Sequence, residues 1–562
     1  MLLEFAVHLL LVGLVTFGLA WPIAHRLWLD PAEKLVASMI LSLLGIFALG
    51  WLTYVAALPA VTLWLSPFLA VAGLYLGRRT LVATLRDPTV RALLLAQLLV
   101  TVWCLIWLSL VASYSGGGWA ADWFEHWERA RFWLERGPLD TRFLGSYAVT
   151  ARPPLINIVT GVFLTLTRVD FAHYQIIATF LASLAFLPAA LLAHRFGGPR
   201  AIPILAVLFA VNPLFVQNAT FSWTKLPTAA CVLAALYFFL RAHDPSPPRA
   251  APALFAACLA TGLLAHFSAG PAAVMLALAW LIRGWPRGRD PEWWRVTVSA
   301  ALVGAGILSL WLVWSLTHYG LTGTLLSNSS VTSLAIGPWE QLQVTLLNFR
   351  DTFLPHFLRP LDTSLIAQRS PWGWWRDQFF QCYQLNLFLS LGSVAWLALF
   401  RTTARIWVLT PPGARWFWTS FVAGTIFLGV ATHSARDTWG LTHISLQPII
   451  LLGLVFLAAH WSHLGRPWRL MLIAGASFDV LIGIALHFLV QGFLADRWLA
   501  AHQPAAEWFS SYNEVWRFNL RAKIQQGYTF VADLSPAPPA LALALLAAIL
   551  ALMLARARAT SP

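Results

Sequence analysis

The chain is short of charge. Of its 562 residues only 11% are Asp, Glu, Lys or Arg, against about 25% in a soluble globular domain. Mean hydropathy is +0.70 and 59% of residues are hydrophobic, which excludes a soluble globular protein. The apolar runs are long enough for spanning helices and too long for barrel strands. Cysteine is scarce too: Cys104, Cys231, Cys258 and Cys382 lie in or beside apolar runs at unrelated spacings. They give neither a disulfide framework nor a zinc-like pair. Lysine is almost absent, at Lys34, Lys225 and Lys523, and no Asp-x-Asp occurs anywhere, which weakens a divalent-cation mechanism. No stretch between apolar runs is long enough to bury an independent core, and no solenoid repeat stands out.

What is present is arginine, tryptophan and apolar sequence. The net charge of +14 sits mostly in Arg-rich loops between apolar runs, so it reads as topology and lipid-headgroup contact rather than nucleic-acid binding. Trp, 31 residues, gathers beside run ends as an interfacial belt. Helices are expected near 2–21, 36–57, 59–76, 92–113, 171–193, 201–216, 226–241, 250–268, 271–283, 297–317, 381–400, 416–432, 443–460, 468–490 and 537–555. The result is an all-α polytopic protein of about 13–15 membrane helices. The first run lacks a basic leader and a cleavage site, so it reads as a retained helix. The run 154–167 is too short to span and is expected to be re-entrant.

The Arg-rich loops 77–91, 281–295 and 401–415 and the tail RARATSP fall on one face, which the positive-inside rule makes cytoplasmic. The opposite face carries the large loops. The chain divides into N-terminal helices (1–113), an outer loop with interfacial and re-entrant helices (114–170), central helices (171–317), an outer loop (318–380), further helices (381–490), an outer loop (491–536) and a final helix with its tail (537–562). Asn218-Ala-Thr and Asn328-Ser-Ser are outer-face sequons that matter only in a glycosylating host.

The segment from Asp122 to Pro154 is the chain's anomaly, dense in acids and arginines. Such charge belongs in water or at the headgroups. Asp122 follows the linker SGGGWAA, and Glu125, Arg129 and Phe132/Trp133 recur at helical spacing, as expected of an amphipathic interfacial helix over 121–136. Asp122 either caps that helix or works at a site, with His126 beside it. The charges from Glu128 to Arg142 read as a solvated or headgroup-facing surface. Arg152, before Pro153 and Pro154, stands at headgroup height: it either snorkels or holds a phosphate. Lys225 in TFSWTKLP is either an anchor or a point charge for a phosphate or sugar oxygen. His266 and the group His433, Arg436, Asp437 and His443 also lie at outer helix ends. Their spacing matches no closed zinc pattern, so hydrogen bonding to a sugar or phosphate is expected of them and no metal or other cofactor is assigned. Asp479, an acid in mid-helix, reads as a neutral, hydrogen-bonded structural group.

The order of these features resembles the GT-C membrane glycosyltransferases: an outer-loop acid, an amphipathic segment, a basic-Pro-Pro-Leu start to the next apolar run, then a helix near 171–193. The nearest branch is that of the protein O-mannosyltransferases and lipid A aminoarabinose transferases. The resemblance is strongest over 114–230. This chain departs from the branch in having Trp123 where an acid commonly follows the first Asp, with Glu125 the next acid. It also has Arg152 where Lys is frequent, and three apolar helices before the matching region instead of one. The resemblance implies transfer of one sugar from a polyprenyl-phosphate donor to an extracytoplasmic acceptor (lipid, glycan or protein), by an enzyme of the plasma membrane, the inner membrane in a bacterium. It implies Asp122 as base, with Glu125 as a second acid, and Arg152, Lys225 and Arg436 as holders of the donor phosphate. His126, His266, His433 and His443 would line the substrate site. Transfer of a larger glycan, transport of a lipid-linked glycan and a non-catalytic assembly subunit remain alternatives.

Overall fold

The computed structural model describes residues 2–112, 114, 122–145, 147–288, 290–328, 336–359, 382–484 and 527–534. Helix dominates, as a chain in lipid requires, because each spanning segment must satisfy its own backbone hydrogen bonds. Among the described residues seven helices are long and apolar enough to cross a membrane: Glu4–Ala24, Pro31–Val55, Pro88–Leu108, Phe171–Gly197, Lys225–Ala242, Phe267–Gly284 and Pro291–Leu325. Two bent pairs, Ala60–Leu76 with Arg78–Arg86 and Ala201–Val211 with Pro213–Thr220, bring the number to nine if each is one span. The expected helix 537–555 and most of the loop 491–536 lie outside the described residues, as does 360–380 of the loop 318–380.

Several expected helices change character for local reasons. The run 201–216 does not continue straight but bends by 67°. Pro213 has no N–H to donate, and Asn212 caps the second piece by accepting from the Phe215 N–H at 2.8 Å. The expected helix 381–400 is interrupted: the chain turns at Gly392, φ +118°, and resumes as Ala395–Leu409, running into what reads as a loop in the sequence. Asp479 holds that break, accepting from the Ser393 N–H at 3.0 Å and the Tyr383 hydroxyl at 2.7 Å. The run 154–167 forms Leu155–Leu166, buried along nearly its whole length. It packs on Pro31–Val55 so tightly that a Cβ at Gly50 would stand 2.6 Å from Ile158.

At the opposite end of Lys225–Ala242 from Lys225, Arg241 pairs with Glu33, Asp30 and Asp244, and the Tyr237 hydroxyl donates to Glu33 at 2.7 Å. Glu33 is buried, so these bonds tie Pro31–Val55 to Lys225–Ala242. The only strands among the described residues are Arg142–Phe143 and Tyr147–Ala148, an antiparallel pair in the first large loop.

Candidate active site

The helix Asp122–Glu135 sets Asp122, Glu125, His126 and Arg129 at i, i+3, i+4 and i+7, on one face. That face is turned into the protein. Its helix packs on Leu155–Leu166, and Glu125, His126 and Arg129 are all buried. The solvated strip is Glu128, Arg131 and Glu135, with Arg131 bonded to Glu135 at 2.8 Å. Arg129 is therefore the exception to the expectation that Glu128 to Arg142 forms a solvated surface. Its guanidinium donates to Glu125 Oε1 at 2.8 Å and to the carbonyls of Val149 and Ala148 at 2.8 and 3.1 Å. It also lies over the Phe143 ring. Spending its donors this way, Arg129 fastens the hairpin to the helix.

The hairpin leads to Arg152. As the residue before a proline, Arg152 is extended (φ −132°, ψ 130°), which sends its side chain back toward the helix. Arg152 Nη2 lies 3.4 Å from Glu125 Oε2, and its guanidinium covers the Tyr147 ring. Glu125 is thus held between two guanidiniums. Burial alone would raise its pKa, but the charges of Arg152 and Arg129 outweigh burial and hold it at about 2.

Lys225 arrives from the other side. After the bent helix Pro213–Thr220 the chain reverses at Ser222, a non-glycine residue at φ +64°. The turn is fixed by tyrosines: the Tyr114 hydroxyl donates to the Thr220 carbonyl at 2.8 Å, and that of Tyr174 to the Ser222 carbonyl at 3.3 Å. Strain of this kind costs about 1–3 kcal/mol and persists only where the surroundings enforce it. It places Trp223 and Lys225 beside Asp122. Lys225 Nζ is 3.9 Å from Asp122 Oδ2 and 3.7 Å above the Trp223 ring. The opposite carboxylates differ in access: the Asp122 side chain is 21% exposed and that of Glu125 0%. Burial raises the pKa of Asp122, opposed by Lys225 and reinforced by Glu125.

The histidines gather around this core. His126 Nδ1 bonds Asn157 Oδ1 at 3.1 Å, and burial holds its pKa near about 3, so it is neutral. His443 stacks on Trp223 with ring centroids 5.5 Å apart. His266 accepts from the Ser268 N–H through Nδ1 at 3.0 Å. Burial, then the charges of Arg152 and Lys225, push His266 well down, and His433 is lowered to about 4 by burial and Lys225. Asp437 is raised to about 6, mainly by burial. Neutral imidazoles near two cations suit hydrogen bonding to hydroxyls. Between His126, Asn157 and Trp223 is a cavity of about 10 Å³, roughly one water.

Arg436 is directed elsewhere: its Nε donates to Asp351 Oδ2 at 3.0 Å. Asp351 is fully buried and also receives Arg359 at 2.6 Å and Arg350 at 2.8 Å. Sequence reading did not single out Asp351, Asn157 or Trp223. Asp351 sits between arginines in NFRDTFLPHFLR, a signal of a kind, but its partners Arg359 and Arg436 are far apart along the chain. Trp123, which stands where an acid commonly follows the first Asp in the resembled branch, faces away from the cluster. It is buried among Tyr114, Phe171 and Phe530, at centroid distances of 5.4, 5.2 and 5.7 Å. The sequon residue Asn218 is buried and accepts from Gln447 at 2.8 Å.

No protein-family profile and no curated protein matches the chain. Among solved structures it is similar to ArnT from Cupriavidus metallidurans bound to undecaprenyl phosphate, at 15% identity over 78% of each chain with a TM-score of 0.45. It is also similar to ArnT of the same organism in the apo state, at 16% identity over 75% of each chain with a TM-score of 0.42.

Proposed function

We propose that this chain is a membrane glycosyltransferase that moves one sugar from a polyprenyl-phosphate donor to an extracytoplasmic acceptor, with inversion at the anomeric carbon. The observation that carries the reading is the pairing of one partly exposed carboxylate, Asp122, with two cations, the buried Lys225 and the half-buried Arg152, on elements that are distant in sequence. The donor class comes from the sequence resemblance over 114–230.

A phosphate-linked sugar brings its own leaving group, so one base and a cationic cradle suffice, whereas a glycosidase needs two carboxylates to expel an alkoxide. Asp122 accepts the proton of the acceptor O–H or N–H as that atom forms its bond to the anomeric carbon. The bond from that carbon to the phosphate oxygen breaks, and the departing negative charge is met by Arg152 and Lys225. Glu125 contributes by holding Arg152 in place. Buried, ion-paired and held at about 2, it is a poor proton acceptor. His126, His266, His433 and His443 supply neutral donors and acceptors for sugar hydroxyls. Arg436, bound to Asp351, orders the loop beside the site instead of binding phosphate. The active face is extracytoplasmic, as the Arg-rich loops on the opposite face support. No metal is required by this scheme.

The test is turnover of radiolabelled polyprenyl-phosphate sugars by membranes carrying the wild type or Asp122→Asn. Loss of the base should lower the rate by about 10²–10⁴-fold. Equal turnover by the two proteins would sink the assignment.

A further inference from the structure

Another group of ionisable side chains meets away from the Asp122 cluster, at the N-terminal end of the first helix. Glu4 and His8 are four residues apart on Leu2–Gly18 and so share a face. His173, in the first turn of Phe171–Ser183, completes the group. His8 Nδ1 and His173 Nε2 lie 3.0 Å apart, and one ligand atom from each of Glu4, His8 and His173 falls within 4.8 Å of the others. Asp170 stands behind them. Its Oδ1 lies 2.8 Å from His173 Nδ1 and accepts the His173 backbone N–H at 2.9 Å, while Arg168 holds its other oxygen at 2.9 Å.

The arrangement is more than a solvated helix end. A carboxylate on Nδ1 fixes the proton there and leaves the Nε2 lone pair directed at His8, the usual arrangement behind a metal-ligating imidazole. With zinc–nitrogen bonds of about 2.0–2.1 Å, two ligating nitrogens in a tetrahedral site stand about 3.3 Å apart. The observed 3.0 Å needs only a small opening to admit an ion. His173 is buried while Glu4 is exposed, so the group is anchored on the protein side and open on the other.

We propose that Glu4, His8 and His173 form a zinc site, with Asp170 orienting His173. Two imidazoles and one carboxylate suit zinc better than magnesium or calcium, which favour all-oxygen sets. The exposed side leaves a position for water. The ion would fasten the first helix to Phe171–Ser183, whose Phe171 packs on Trp123 and Trp127 behind Asp122. Its role is to brace the bundle, and the proposal stands whether or not the chain transfers sugar.

The test uses the full-length protein in detergent, stripped with a chelator and titrated with zinc chloride. Elemental analysis after gel filtration should find one more zinc per wild-type chain than per His8→Ala chain. Zinc should raise the Tm of the wild type and not that of His8→Ala. Asp170→Asn keeps the helix cap, since Asn caps as well as Asp, and should bind zinc about 10–100-fold more weakly. His266, His433 and His443 are untouched in these variants, so any zinc they take cancels in the difference. Equal zinc content in wild type and His8→Ala, or an undiminished Tm rise, overturns the site. If the zinc-free Tm of His8→Ala itself falls, Glu4→Gln, at an exposed position, serves for the same comparison with the same two outcomes.

Discussion

At the scale of single residues, neighbouring acids on one helix face are given opposite characters by their partners. Glu125 is fully charged and committed, while Asp122 keeps access to solvent and a raised pKa. Glu125→Gln should expose the cost of breaking a buried pair, about 3–5 kcal/mol. The pH sign follows from linkage: a carboxyl whose pKa is lowered on folding stabilises above its unfolded value of 4.5 and loses that contribution as pH falls toward about 2. The wild-type advantage over Glu125→Gln in thermal melts should therefore be constant near neutrality and shrink as the pH is lowered below about 4.5. A gap that is independent of pH down to the acid limit would show that Glu125 is not ionised in the fold. For Asp122 the relevant observable is rate. Lys225 lowers its pKa against the effect of burial, so Lys225→Met should move the acid limb of kcat/KM to higher pH as well as weakening donor binding. An unmoved acid limb would separate Lys225 from the base.

At the scale of elements, bends and breaks place the site, and polar side chains make the bends. Gly392 is the clearest case. At φ +118° it is conformationally suited to glycine, and an added Cβ would stand 2.7 Å from Asp479 Oδ2. Gly392→Ala should cost about 1–3 kcal/mol, read as a lower midpoint in detergent melts, whereas Gly306→Ala, where nothing crowds a Cβ, should not. Similar melts for the two would remove the strain argument. This scale also shows what the sequence makes legible. Long apolar runs, the short helix within 154–167 and the helix from Asp122 follow from periodicity and run length alone. The interruption of 381–400 does not, because its cause, Asp479, lies about ninety residues on and acts only through tertiary contact. Asp122, Lys225 and Arg152 are individually conspicuous, yet their meeting depends on a 67° bend and a strained serine turn that apolar patterning leaves hidden. Arg436 was conspicuous for the same reasons and goes to a different carboxylate.

At the scale of the whole molecule, the proposed orientation puts the Asp122 helix and the Arg-rich loops on opposite sides of the membrane. All four native cysteines are buried, so introduced thiols can report sidedness. In intact cells Glu135→Cys, at an exposed position of that helix, should react with a membrane-impermeant maleimide, and Arg295→Cys should react only after permeabilisation. The reverse pattern would invert the topology.

The short segment 527–534 has a role out of proportion to its length. Tyr528 donates to Glu128 at 3.0 Å, the Val531 N–H to Gln175 at 3.0 Å, and Phe530 enters the aromatic cluster around Trp123. Residues 400 positions apart in sequence thus close the back of one small wall. During synthesis that wall stays open until the ribosome has passed residue 534, whatever has already been inserted. Closure of that wall waits for a segment made 400 residues after Glu128, and a chain stalled before it would hold its earlier helices with the wall behind Trp123 open.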